Sequence, residues 1–248
     1  MPENLAIVLA AGKGTRMKSD LPKVLIEVGG RPMIDYVLQS LRKGGMDRIV
    51  VVVGYREEYV RQALAGQPDL EFVVQREQLG TGHAVMACRH VIEPHEGPVM
   101  VVAGDAPLMQ AESIAALLAE YERKPAGCIL GTVEKEDPTG LGRILRSEEG
   151  TFLGIVEEKD ATEQQRQINE VNMSYYVFAP KPLLRALGEV GNDNAQREHY
   201  LTDCPGIMIG QGVEVRALNV LQPCEAIGVN TPAELEVVEA ALQGGVSP

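Results

Sequence analysis

The residues Leu9-Ala-Ala-Gly-Lys-Gly-Thr-Arg-Met17 form a small-residue turn that runs into a basic segment. Small side chains let backbone N–H groups close on an anion, and an arginine such as Arg16 clamps phosphate oxygens in pairs. Lys23, in Leu21-Pro-Lys-Val24, adds a point charge. The Lys-Ser/Thr ending of a P-loop is missing, and the glycines do not fit G-x-G-x-x-G, so the turn reads as a phosphate cradle of another kind. Asp105 follows an apolar run through Ala103-Gly104. A lone carboxylate there suits Mg2+, which takes few protein ligands and keeps water and phosphate oxygens; capping a turn is the plainer role. Gln75 ends another apolar run, and its amide sets a donor beside an acceptor, which matches a pyrimidine edge; a polar strand end satisfied by its own loop is the plainer role.

These groups need strands to carry them. Residues 5–9, 48–53, 70–74 and 98–102 are continuous apolar runs, which predict strands covered on both faces, as in a parallel sheet. Stripes at helical spacing lie between and after them: Met33, Val37, Leu38 and Leu41; Tyr59, Ala63 and Leu64; Ala84, Val85, Ala87, Cys88 and Val91; Ile114, Leu117, Leu118 and Tyr121. The alternation predicts an α/β fold, a Rossmann-like doubly wound mixed sheet that binds ligands at the carboxyl ends of its strands. The second half predicts strands over 128–133, 142–145, 152–156 and 175–178, several of them antiparallel, and helices near 182–187 and 234–242. No Pro/Ser-rich linker divides residues 1–248, so one domain is expected: a first half to about residue 105, a small lobe over 106–230, and a C-terminal helix and tail over 231–248.

With 45% hydrophobic and 23% charged residues, the chain can bury a sizeable core and is neither disordered nor fibrous. A formal net charge of −12 argues against a nonspecific nucleic-acid binder, since no Lys/Arg block is present to neutralise a phosphate backbone. No apolar run approaches the roughly 20 residues of a membrane span, and the first residues lack a basic signal-peptide start. Cys88, Cys128, Cys204 and Cys224 form no C-x-x-C pair, so isolated thiols in a reducing cytoplasm are expected. There is no G-x-S-x-G elbow, and of His83, His90, His95 and His199 the first is expected to cap or pack rather than catalyse.

The turn together with Leu-Pro-Lys resembles the sugar-nucleotide pyrophosphorylase family of nucleotidyltransferases, and most closely the uridyltransferase domains of N-acetylglucosamine-1-phosphate uridyltransferases. The likeness continues through Gln78-Leu-Gly-Thr-Gly-His-Ala84, Gly104-Asp105, Asp137-Pro-Thr-Gly-x-Gly-Arg-Ile144, Gly154-Ile-Val-Glu-x-Lys-Asp-Ala-Thr162, Asn194-Ala-Gln196, Tyr200-Leu-Thr-Asp203 and Gly228-Val-Asn230. It implies an Mg2+-dependent enzyme that makes UDP-N-acetylglucosamine and pyrophosphate from UTP and N-acetylglucosamine 1-phosphate. On this resemblance Arg16 and Lys23 are catalytic, and the first half binds nucleotide through Leu9, Ala10, Ala11, Gly12, Gly14, Thr15, Gln75, Gly80 and Thr81. Gln75 and the backbone around Gly80-Thr81 hold uracil. The lobe binds the sugar through Gly142, Glu157, Asn172, Tyr200 and Thr202, and Lys159 orders it or pairs with a carboxylate. Asp105 and Asn230 are the metal ligands; capping the helix after Thr231-Pro232 is the competing role for Asn230.

Ala103 stands where these enzymes commonly have tyrosine, Met173-Ser174 where they have Thr-Gly, and Arg197 and His199 interrupt Asn-Ala-Gln-Gly-Glu-Tyr-Tyr. Another hexose 1-phosphate, or dTTP, therefore stays open as substrate, and so does a non-catalytic nucleotide-sugar sensor. Close relatives carry a left-handed β-helix that acetylates glucosamine 1-phosphate and trimerises. No hexapeptide repeat appears before Pro248, so neither acetyltransferase activity nor that trimer contact is expected.

Overall fold

Strand β1 (Leu5–Ala10) is apolar at every position because helices cover both of its faces. The computed structural model describes residues 2–14, 17, 20–229, 231–244 and 246, apart from the side chain of Pro232. After β1 come a short hairpin of β2 (Glu27–Val28) and β3 (Arg31–Pro32), then α1 (Met33–Lys43), β4 (Arg48–Val53), α2 (Glu57–Ala63) and β5 (Leu70–Val74). Helices α3 (Thr81–Ala87) and α4 (Arg89–Ile92) lead to β6 (Val99–Ala103), α5 (Ala111–Arg123) and β7 (Cys128–Glu134). The remainder is β8 (Gly142–Arg146), β9 (Phe152–Val156), α6 (Glu163–Arg166), β10 (Glu170–Phe178), α7 (Pro180–Leu187), α8 (Asp203–Gly210), β11 (Val215–Asn219) and α9 (Pro232–Gln243).

Among the described residues the main sheet has nine strands in the order β11-β7-β10-β6-β1-β4-β5, with β8 and β9 branching from β10. Strands β6, β1, β4 and β5 are parallel, while β10 runs antiparallel between β6 and β7. The fold is thus the expected mixed, doubly wound α/β sheet. Side-chain alternation along the strands sorts the core onto two faces. Ala6, Val8 and Ala10 join Val51, Val53 and Val102 under Ile34 and Leu38 of α1 and Ile114 and Leu117 of α5. Leu5 and Ile7 join Val50, Val52 and Val101 under Val85 of α3, Ile92 of α4, Leu183 of α7 and Met208 of α8. Each fully buried Val, Leu or Ile side chain contributes about 1.5–3 kcal/mol.

Some elements depart from the sequence expectation. The third helical stripe breaks at Cys88, whose ψ of 7° leaves helical geometry, so it becomes α3 and α4. Helix α8 holds Pro205, Gly206 and Gly210, which disguise it as a loop. Strand β10 begins five residues earlier than its apolar end suggests, and it bulges: Asn172 pairs with Thr132 and Tyr175 with Gly131, leaving Met173 and Ser174 without partners on β7. Ser174 has φ 61°, a left-handed conformation that costs a non-glycine residue about 1 kcal/mol or more, and its N–H donates to Asn172 Oδ1 at 3.2 Å. The bulge lets the first part of β10 pair with β8 and the last part with β6.

One buried carboxylate ties the start of the second half to its end. Glu225, in the 3-10 turn Pro223–Ala226, accepts hydrogen bonds from the backbone N–H of Gln110 (2.9 Å), the hydroxyl of Ser113 (2.5 Å) and the backbone N–H of Gln222 (2.7 Å). The start of α5 is thereby fixed to the segment that leads towards α9. In Glu225→Gln an amide nitrogen must face one of these donors, so urea unfolding should show a loss of about 2 kcal/mol with an unaltered m value. An unmoved midpoint would show that the carboxylate is not the tie.

Candidate active site

At the carboxyl ends of β1, β5 and β6 the chain opens a cleft of about 520 Å3. Leu9, Ala11, Gly12, Gly14, Lys23, Gln75, Gly80, Thr81 and Asp105 all line it, as a doubly wound sheet requires of a ligand site. Ala10 does not, because strand alternation turns its side chain into the core beside Val53. Thr15, Arg16 and Asn230 lie outside the described residues. Ser174, noted from sequence as a departure from the usual residues, also lines the cleft, and so do Lys13, Tyr55 and Glu198, which were not singled out. The Lys13 ammonium lies 5.4 Å from the centre of the Tyr55 ring. Tyr55 could have been found, since Gly54-Tyr55 directly follows a parallel strand.

The turn after β1 closes onto Lys23. Gly14 has φ 65°, and a Cβ there would sit 2.6 Å from Cβ of Lys23, so the lysine stem crosses where only glycine fits. Lys23 Nζ reaches Asp105 Oδ2 at 2.5 Å, with both side chains largely buried. Asp105 is carried by Gly104, whose N–H donates to the Leu9 carbonyl at 2.9 Å. Asp105 therefore sits at the mouth of β6 beside the turn. Among the described residues no group of three or more His, Cys, Asp or Glu side chains could cage a metal. The donor set fits a cation such as Mg2+ that takes one or two carboxylate or amide oxygens and completes its shell from water and phosphate.

The opposite end of the cleft is built on Gln75. Its N–H donates to Val53 O at 2.8 Å, extending the ladder past β5, and its side chain is buried. The amide Nε2 lies 3.0 Å from Gly80 O and 3.1 Å from His83 Nδ1. Gly80 has φ 107°, and a Cβ on it would meet His199 O at 2.6 Å. A strap of hydrogen bonds runs across this close approach: His199 N–H to Leu79 O (2.8 Å), Gly82 N–H to His199 O (2.7 Å) and Leu201 N–H to Thr81 Oγ1 (3.0 Å).

Beyond the strap lies the second group of sequence-predicted residues. Thr202 donates its hydroxyl to Glu157 Oε1 at 2.9 Å, and Gly142 faces both Glu157 Oε1 and Asn172 Cβ. Glu157 and Tyr200 line a second cavity of about 300 Å3 with Asp160, Asp193, Asn194 and Asp203. Burial raises the Glu157 carboxyl above its ordinary range, the Thr202 hydrogen bond opposes this, and the charges of Asp203, Asp160 and Glu198 add to the rise. Burial raises Asp203 as well, helped by Asp160. Arg143, itself buried, pairs with Glu158 at 2.7 Å, and Glu158 accepts from the Gly140 N–H at 3.2 Å, which pins the turn before β8. Lys159 donates to the amide oxygen of Gln196 rather than to a carboxylate. All four cysteines are free thiols, and burial pushes Cys88 and Cys204 up to about 12, so they are not poised as nucleophiles.

A parallel sheet with a glycine turn, a lysine–aspartate pair and a buried amide around one cleft defines a nucleotidyltransferase. Residues 6–202 match the family model described as "MobA-like NTP transferase domain", and the chain belongs to that family. It is 41% identical over 243 residues to the "Bifunctional protein GlmU" of Bacillus licheniformis, covering 98% of this chain and 53% of that protein. The protein of the same name from Streptococcus gordonii is 44% identical over 240 residues, covering 97% of this chain and 52% of its own. The chain thus spans about half the length of these curated relatives. In fold it is similar to a UDP-glucose pyrophosphorylase complexed with UDP-glucose (TM-score 0.78, 18% identity, 98% of this chain and 99% of that one). A putative glucose-1-phosphate thymidylyltransferase from Bacillus anthracis is similar too (TM-score 0.78, 20% identity, 96% and 94%). No helix among the described residues is long and apolar enough to cross a membrane.

A raised folded-state carboxyl is stabilising while protonated and loses that contribution as pH climbs from the ordinary glutamate value of 4.5 through the folded one. Glu157→Gln removes the ionisation. Its thermal stability relative to the parent should therefore be higher at pH 7 than at pH 4; equal differences at both pH values would remove the buried charge from Glu157.

Proposed function

We propose that this chain transfers a uridylyl group from UTP to N-acetylglucosamine 1-phosphate, releasing pyrophosphate, with Mg2+ held by Asp105 and Asn230. The observation that carries this reading is the single cleft in which Gln75, the glycine turn and the Lys23–Asp105 pair come together. They suit a base, a triphosphate and a reacting phosphate. The resemblance of the whole motif series to N-acetylglucosamine-1-phosphate uridyltransferases supports the choice of substrates, and so does the identity to the GlmU proteins.

A phosphate oxygen of the sugar 1-phosphate attacks the α-phosphorus of UTP. The new O–P bond forms as the bond to the oxygen bridging to the β-phosphate breaks, and pyrophosphate leaves. The nucleophile is already ionised at neutral pH, so no side chain has to take a proton. What remains is to screen two anions and align them. Backbone N–H groups of the turn and Arg16 hold the triphosphate, and Lys23 offers its charge to the phosphates once they enter. Mg2+, when bound, neutralises and orients phosphate oxygens. Gln75, Gly80 and Thr81 hold the base; Gly142, Glu157, Asn172, Tyr200 and Thr202 hold the sugar. Glu157, a buried carboxyl raised by its surroundings and lining a cavity, supports placing a ligand there. The free thiols suit a cytoplasmic enzyme.

A second reading, a different hexose 1-phosphate or dTTP, is favoured by Ala103 and Ser174, which both line the cleft and depart from the usual residues. Pyrophosphate release should be measured with Mg2+ and UTP, dTTP, CTP, ATP or GTP against a panel of sugar 1-phosphates. UTP with N-acetylglucosamine 1-phosphate is expected to lead; UTP with another sugar selects the second reading, and binding without release selects a sensor. Asp105→Ala should lower turnover about 100-fold or more while melting near the parent temperature, and Lys23→Ala should slow turnover and weaken triphosphate binding. Undiminished turnover in Asp105→Ala would take that carboxylate out of the site.

A further inference from the structure

We infer that His83 is a positioning residue for base choice: by accepting a hydrogen bond from the Gln75 amide, it turns the carbonyl of Gln75 to the cleft and selects a pyrimidine that presents a ring N–H. The inference rests on the proposed pyrimidine nucleotide reading and goes further, to why uracil and thymine would be taken and cytosine refused.

An amide nitrogen carries two hydrogens and cannot accept. The Gly80 carbonyl, 3.0 Å from Gln75 Nε2, can only accept, so it fixes which side of the amide the nitrogen occupies. His83 Nδ1 lies 3.1 Å from the same nitrogen. Since that nitrogen must donate, Nδ1 carries no proton and the ring hydrogen sits on Nε2. Both amide hydrogens are then engaged inside the protein. Oε1 is left for the cleft that Gln75 lines, and among the described residues no donor is bonded to it. Turning the amide over would set Oε1 against the Gly80 oxygen and, unless the ring proton moved to Nδ1, against the Nδ1 lone pair as well, so an accepting His83 adds a second restraint to that of Gly80. The neighbouring His199 has the opposite arrangement: its Nδ1 lies 3.0 Å from Val190 O and must donate. Uracil and thymine present N3–H to an acceptor, whereas the N3 of cytosine presents a lone pair. A buried polar mismatch of that kind is among the stronger sources of discrimination a site can build.

The test is the affinity ratio of UTP to CTP, measured by calorimetry on the full chain with Mg2+, in the parent, His83→Ala and His83→Asn. The side-chain oxygen of asparagine can reach the place of Nδ1 and accept. The parent should prefer UTP; the ratio should fall about tenfold in His83→Ala and return towards the parent value in His83→Asn, with all three melting at similar temperatures. A parent that does not prefer UTP to CTP overturns the pyrimidine reading and this inference with it. A parent that prefers UTP while His83→Ala keeps the full ratio overturns the role of His83 alone. Should His83→Ala fail to fold, the imidazole 15N spectrum of the parent, with His83→Asn to assign the signal, decides independently: an unprotonated Nδ1 supports the inference and a protonated one overturns it.

Discussion

The cleft exists because β1 has a parallel neighbour on each side. The chain steps from β1 outward to β4 and β5, then returns to place β6 against the other edge of β1. At such a reversal no crossover runs over the end of the central strand, so a crevice opens there. The turn after β1, Gln75 after β5 and Asp105 after β6 are single-residue or few-residue extensions of strands already locked in register. Their positions follow from the sheet, and the loops have only to aim the side chains.

Much of this was legible in the sequence, because a strand buried on both faces must be apolar: β1 and β6 are so throughout, and β4 and β5 are broken only by Arg48 and Glu71. The cleft residues after those strands could be read for the same reason. What escaped depends on long-range pairing. Strand β11 shows only Ala217 buried among its five residues, and its place beside β7 comes from backbone register rather than from an apolar run. The bulge at Met173-Ser174 is a mismatch between two strands 38 residues apart in the Thr132–Glu170 contact, and neither strand alone encodes it. The group around Glu157 was readable only by resemblance: Glu157-Glu158 looks like a solvated acidic surface until Thr202 and Gly142 are folded against it.

The strap between residues 79–82 and 199–201 makes the two groups of site residues one object. Gly80 and Gly82 are packed against the His199 backbone so closely that neither tolerates a side chain without displacing it. Tyr200 and Thr202 follow directly on that backbone. The base end of the cleft and the wall near Glu157 therefore share a rigid element, and a substitution that shifts one is transmitted through three hydrogen bonds to the other. On the proposed reading, the two ends that choose the substrates are mechanically linked through this strap.

The contact between Lys23 and Asp105 has a further meaning for the protein at rest. Each group neutralises the other, so the pair itself adds no net charge to the cleft, which Lys13 and Glu198 also line. On the proposed reading, entry of a nucleotide and its counter-ion is an exchange of partners at this pair, in which one contact is surrendered as two are made. Sites of this kind discriminate by stoichiometry: a lone cation or a lone anion must break the pair for a single replacement contact, while the two arriving together leave neither side chain unmatched.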